Sequence, residues 1–215
     1  MAVAVVKRKG FTNMISLYFG LPRCGKTTTL AKMARVAVRQ GRRVYSNVPL
    51  KIKGVVHIRN EDIGRYDMSG FVKAKSLILI DEATIYADSR GFAKFPAEVV
   101  QFFVLHGHYH CDIALFCQIY NRVDSTIRML AERVFYLKKG LFLPITRIYH
   151  VPYGIAFTPP NDSTGSKYGD INEGYAEPSF LQKLFCKRVW RPAYYKYFDS
   201  WEHKDLPPLP YSVYN

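Results

Sequence analysis

A three-layer α/β fold around a doubly wound, mostly parallel sheet is what the 215-residue sequence predicts, and three observations predict it. Short apolar runs alternate with helix-compatible stretches as far as Gly140. One run, Ser76 to Ile80 (SLILI), is continuously apolar, as a central parallel strand covered on both faces must be. Another, Met14 to Phe19, leads directly into GLPRCGKTTT, a glycine-bearing loop shaped to hold an anion.

Residues 14–19 read as a buried strand, and Thr27 to Gln40 has the composition of a helix closed by Gly41 as its C′ residue. Arg42 to Ser46 (RRVYS) and Val55 to Ile58 (VVHI) are expected as short strands, followed by the central strand 76–80. Pro96 to Leu105 is expected as a helix starting at its proline, Cys111 to Cys117 (CDIALFC) as another buried strand, and Asp124 to Glu132 as a short helix. Arg133 to Leu137 adds a further strand. From Gly140 the character shifts to strand-rich excursions, and residues 158–178 form a loop or linker by their Pro, Gly, Ser and Asn content. The expected boundary falls near residue 150, between a core of residues 1–150 and a small, β-rich, Tyr/Pro-rich C-terminal extension, 151–215, packed on that core. No internal repeat is visible.

The formal charge is +14, and its distribution is uneven. Residues 1–60 hold 13 of the 31 Lys/Arg and no acid, Glu61 being the first; the remaining 155 residues are nearly balanced. Such a bias raises the local concentration of anions and suits nucleic acid, an anionic membrane surface or a nucleotide, although a merely solvated basic face remains an alternative. Cys24, Cys111, Cys117 and Cys186 show no CxxC pair, which favours reduced thiols in the cytosol. The apolar start is too short for a signal sequence, and no run of about 18 uncharged apolar residues could span a bilayer.

The run Gly20-x4-Gly25-Lys26-Thr27 matches GxxxxGK[ST]. Gly20 and Gly25 let backbone N–H groups turn inward, Lys26 neutralises the terminal phosphates, and the Thr27 hydroxyl ligates Mg²⁺, with Thr28 beside it in the phosphate-binding run. The helix that follows presents its positive N-terminal end. Residue frequencies give such a string by chance in about one chain in a hundred of this length, and the strand before and helix after make accident rarer. The second motif is Leu77-Ile78-Leu79-Ile80-Asp81-Glu82, a strand delivering two carboxylates at its carboxyl end, where open α/β sheets bind ligands. Asp81 is expected in the metal shell and Glu82 as the group that orients or deprotonates water; an N-cap is the other use for such a pair. Together the motifs point to NTP hydrolysis more than to storage, and no NKxD-like guanine signature appears, so ATP is the expected nucleotide.

Gln118, ending the strand CDIALFC, is a candidate to sense the γ-phosphate if that strand neighbours 76–80, and otherwise simply closes a strand at the surface. Hydrolysis gains from an arginine donated across a subunit boundary; Arg90, Arg122 and Arg128 lie downstream of Glu82, and Arg128 is our candidate. His106, His108 and His110 alternate as a metal site could, yet one strand cannot build a tetrahedron and His57, His150 and His203 supply no second ligand pair. A turn between helix and strand near the phosphate edge is the expected account of these histidines.

GLPRCGKTT (20–28), VYSNVPL (44–50), LILIDEA (77–83) and HGHYHCDIALFCQIYNRVDSTIRMLAE (106–132), with YYKYFDSW (194–201), resemble in order the zonula occludens toxin-like family of filamentous-phage assembly ATPases. The resemblance implies a fold of the RecA and FtsK–HerA kind, Mg²⁺-dependent ATP hydrolysis, and a homo-oligomer, a hexamer in the group to which the family is assigned. It also implies single-stranded phage DNA and membrane-embedded assembly proteins as partners, in the host cytosol or at the inner face of its membrane. Family members usually continue into a transmembrane helix and an extracytoplasmic domain, neither of which this sequence holds, and the Arg-His pair common before the Asp-Ile strand reads Leu105-His106 here. The expectation is a soluble portion, or a shorter relative that borrows its membrane partner. Two other functions stay open: a P-loop kinase for a small molecule or nucleotide, against which the lack of an arginine-rich lid counts, and a nucleotide-regulated binding module with little or no turnover, against which Glu82 counts.

Overall fold

The computed structural model describes residues 13–59, 63, 75–82, 97–108, 110–151 and 184–199. Lys7 to Lys9, Arg90, Pro96, the 158–178 stretch and His203 lie outside the described residues. Eight strands form one sheet: β1 (Ile15–Phe19), β2 (Val44–Ser46), β3 (Val55–His57), β4 (Leu77–Ile80), β5 (Asp112–Cys117), β6 (Arg133–Lys139), β7 (Ile145–Val151) and β8 (Lys187–Trp190). Their order is β3-β2-β4-β5-β1-β6-β7-β8. The first six run parallel, and β7 and β8 continue the edge antiparallel. Helix α1 (Lys26–Arg39) covers one face, while α2 (Ala97–Leu105) and α3 (Ser125–Leu130) lie on the other.

Alternation along the strands assigns the faces. Ile15, Leu17 and Phe19 of β1, with Ile78, Ile80, Ile113 and Leu115, pack toward Phe102, Phe103 and Ile127. Leu77, Leu79, Ala114, Phe116 and Leu137 point the other way, against Leu30, Ala34 and Ala37 of α1. Both faces are therefore dry, and each fully buried Leu, Ile or Phe contributes about 1.5–3 kcal/mol. The alanines let α1 lie close to the sheet, so a larger side chain at Ala34 would overpack the contact.

Helix α1 ends where Gly41 takes φ 74°, with Gly41 N–H donating to Val38 O (2.9 Å) and Arg42 N–H to Ala37 O (3.0 Å), a Schellman stop. This explains why β2 begins at Val44 and not at Arg42: the Arg42 amide is committed to the helix. Its guanidinium instead pairs with Asp112 (2.8 Å) and donates to Ser76 O (2.7 Å), tying the amino ends of β4 and β5 together. Asp124 caps α3 by accepting from Thr126 N–H (2.8 Å), and the helix stops at Leu130, because Glu132 N–H already donates to Ile15 O (3.0 Å) to start the β6 pairing. Beyond the hairpin, β8 adds to β7 and a 3₁₀ segment, Arg191–Tyr197, returns over α1. Lys51 N–H donates to Tyr197 O (2.7 Å) and the Arg35 guanidinium lies 5.5 Å from the Tyr197 ring centre.

The histidine turn connects α2 and β5 as expected, but at the opposite edge from the phosphate loop. In a parallel sheet the crossover helix returns the chain to the amino ends of the strands. There His106 spans two carbonyls, Phe103 O (2.6 Å) and Asn13 O (2.9 Å), and pins the turn to the residues entering β1. Among the described residues these histidines join no group of three or more His, Cys, Asp or Glu side chains that could hold a metal ion.

Tyr18 is stacked between Phe116 and Phe135 at centroid distances of 4.8 and 4.7 Å, each ring on an adjacent strand. Burial pushes its phenol up to about 12, with Arg133 opposing and Asp112 reinforcing the shift. Burial, helped by Asp112, likewise raises the Cys111 thiol to about 12. Both neutral forms are favoured by the fold, so their stabilisation is complete below the ordinary values of 9.0 and 10.0 and is lost as pH climbs toward 12. Chemical unfolding midpoints should therefore fall between pH 9 and 12, and Tyr18→Phe should make that fall shallower. An equal slope in the variant would show that Tyr18 carries none of it.

Candidate active site

Strand β1 ends at Phe19, and the chain then turns around Gly20 and Gly25 into α1. Gly25 has φ 100°, where a side chain is strained, and a Cβ there would collide with the Thr146 hydroxyl. Thr28 and Thr29 hydroxyls each donate to Gly25 O (2.8 Å), and the buried Thr146 of β7 donates to Cys24 O (2.7 Å). The loop is thus held from inside the helix and from the neighbouring hairpin. Lys26 Nζ lies across it, donating to Gly20 O (2.7 Å) and Leu21 O (3.1 Å). Burial also raises the Cys24 thiol, which keeps it protonated inside a loop otherwise rich in positive charge.

Strand β5 separates β1 from β4, and pairs with both. The gap leaves a cleft at the carboxyl ends of the strands, of about 330 Å³, within the range of small-ligand sites. Lys26, Thr27 and Thr28 line one side, and Asp81, Glu82 and Gln118 another. The two motifs meet directly: Thr27 Oγ1 donates to Asp81 Oδ2 at 3.0 Å. Hard oxygen donors from a hydroxyl and a buried carboxylate are what Mg²⁺ prefers, so the donor set fits that ion beside a phosphate chain. Glu82 takes φ 54°, an unusual backbone for a residue with a Cβ, and its N–H donates to Asp81 Oδ1 (3.0 Å). Arg128 is not brought to this cleft; it lies on α3 with its guanidinium 5.4 Å from the Tyr120 ring centre.

Five residues were given no task from sequence. Asn47, in the Asn-Val-Pro-Leu turn after β2, accepts from Asp81 N–H (2.8 Å) and donates to Asp81 O (2.9 Å), clamping the backbone that aims the carboxylate pair. The motif singled out the turn but gave Asn47 no task. Thr146 steadies the loop as described. Arg191, Tyr195 and Phe198, from the segment after β8, line the third side of the cleft. Asn47→Ala removes both bonds from a buried backbone; with about 1–3 kcal/mol for each of the two stranded groups and about 2–4 °C per kcal/mol in a chain of this size, it should lower the melting temperature by at least about 4 °C. We expect turnover to fall further than nucleotide affinity, and an unchanged melting curve would sink the clamp.

A strand, an anion loop, a helix and a carboxylate pair two strands away define the protein as a P-loop NTPase in fold. The family described as Zonular occludens toxin (Zot) matches residues 14–167, and the chain belongs to it. Among solved structures the chain is similar to the N-terminal domain of zonular occludens toxin from Neisseria meningitidis, with 19% identity and a TM-score of 0.53, covering 86% of this chain and 98% of that one. It is also similar in fold to B204, the DNA-packaging ATPase from Sulfolobus Turreted Icosahedral Virus, with 12% identity and a TM-score of 0.52, covering 66% of this chain and 94% of that one. No curated protein sequence is significantly similar. No helix among the described residues is long and apolar enough to cross a membrane.

Proposed function

We propose that the chain is an Mg²⁺-dependent ATPase that drives filamentous-phage assembly, moving single-stranded phage DNA or its coat outward through the envelope. The observation that carries the enzymatic half is the 3.0 Å contact of Thr27 with Asp81 at a cleft shared with Lys26 and Glu82. Family membership supports the assembly half. In this reading residues 1–150 are the ATPase core and 151–215 the extension, and the protein works as a homo-oligomer, a hexamer on the analogy of DNA-pumping ATPases. Its place is the host cytosol at the inner face of the membrane, with membrane-embedded assembly proteins.

Backbone N–H groups of residues 20–28 and the start of α1 would bind the phosphates of ATP, and Lys26 would swing from the loop carbonyls onto the terminal oxygens. Thr27 and Asp81 would hold Mg²⁺, which neutralises charge on the transferring phosphoryl group. Glu82 orients a water and takes its proton as the oxygen bonds to the γ-phosphorus; the bond to the β-phosphate oxygen breaks, and ADP and phosphate leave. Gln118 holds the same water or the γ-phosphate from just past the end of β5. Arg128 of one subunit reaches the site of the next.

The test is phosphate release with and without single-stranded and double-stranded DNA, over protein concentrations that span assembly. Stimulation by DNA that grows with protein concentration is the expected result. Release only in the presence of a small acceptor would replace this reading with a kinase, and no release at all with a nucleotide-regulated binding module.

A further inference from the structure

We propose that Arg191 is a phosphate-binding residue supplied by the same chain, and that Tyr195 and Phe198 form the wall against which the nucleoside rests. The inference rests on the nucleotide reading of the cleft and assigns its third side. Three observations lead to it. The Arg191 Cδ packs on the anion loop, where a Cβ on Gly25 would meet it at 2.9 Å. Its Nη1 donates to Arg23 O at 3.3 Å, so the guanidinium is tethered to the loop. Its Nε is buried with no hydrogen-bond acceptor. A guanidinium N–H stranded in this way is costly, and a turn of the side chain toward the cleft would bring it to a ligand oxygen.

The backbone around Arg191 is fixed on both sides. Arg191 N–H donates to Pro144 O (3.0 Å) in the β6–β7 turn, and the far end of the segment is anchored through Tyr197 O to Lys51. Phe198 is buried, while Tyr195 is 48% exposed on the same cleft. An aromatic face beside an arginine suits a ligand with an anionic end and a flat, partly apolar end, which is the chemistry of a nucleoside polyphosphate. Arginine suits such oxygens better than lysine because its planar fork donates two parallel bonds.

The experiment is titration of the purified 215-residue chain with fluorescently labelled ATP at several salt concentrations. Arg191→Gln retains a donor for Arg23 O but removes the charge; it should weaken binding at least tenfold and flatten the salt dependence, with an unaltered melting temperature. Arg191→Lys should lose less and keep the salt dependence. Tyr195→Ala should weaken binding without changing the salt slope, and Tyr195→Phe should restore it. If Arg191→Gln binds as the unaltered chain does, or if Gln and Lys lose equally with the original salt slope, Arg191 is only a tether and the inference is overturned. Failure of the underlying reading looks different: the unaltered chain would not bind labelled ATP, or Lys26→Ala would bind it undiminished.

Discussion

Lys26→Ala is expected to weaken ATP binding on the order of 100-fold while leaving the fold intact. In the structure the ammonium is held by Gly20 O and Leu21 O, two carbonyls of the loop that it would leave when phosphate arrives. Removing it costs those two bonds in the empty protein and a charge-assisted contact in the complex. The second loss dominates, because water reaches the loop carbonyls once the side chain is gone, whereas the phosphate oxygens lose a full positive charge in a partly enclosed cleft. A charged hydrogen bond is worth about 1.5–3 kcal/mol, close to two decades of affinity at its upper end. Calorimetric titration measures this directly. An affinity within twofold of the unaltered chain would mean that Lys26 does not meet the phosphates.

Glu82→Gln should separate binding from chemistry. Gln keeps the size of the side chain and the same backbone demand at φ 54°, so the loop and the Asp81 carboxylate stay in place. What disappears is the proton acceptor, and general-base contributions are about 10²–10⁴ in rate. We expect kcat to fall by that factor with ATP affinity unchanged within about twofold. Hydrolysis at the unmutated rate would remove Glu82 from the mechanism and shift attention to Gln118.

Much of this was legible in the sequence because the chemistry is written locally. The phosphate loop is one unbroken string, and the strand LILI announces its two faces by having no polar alternation. The continuous parallel strands and their order of appearance defined the layers. What sequence could not supply was direction and return. The histidine turn falls at the far edge of the sheet because of which way the crossover helix runs, a property of the assembled topology and not of residues 106–110. Asn47 carried a visible motif, but its task became apparent only when Asp81 was placed beside it. Arg191 was invisible for a plainer reason: it stands outside any motif, and its contact with Arg23 joins residues 168 positions apart.

That last separation bears on how the molecule is made. A ribosome delivers the anion loop 168 residues before the arginine tethered to it, so a nascent chain carries an open, half-walled cleft while that stretch is added. Contacts of such long sequence span also form slowly after release, since the intervening polypeptide must first be gathered in. On the role proposed for Arg191, nucleotide would then be held fully only by a chain already folded through this segment.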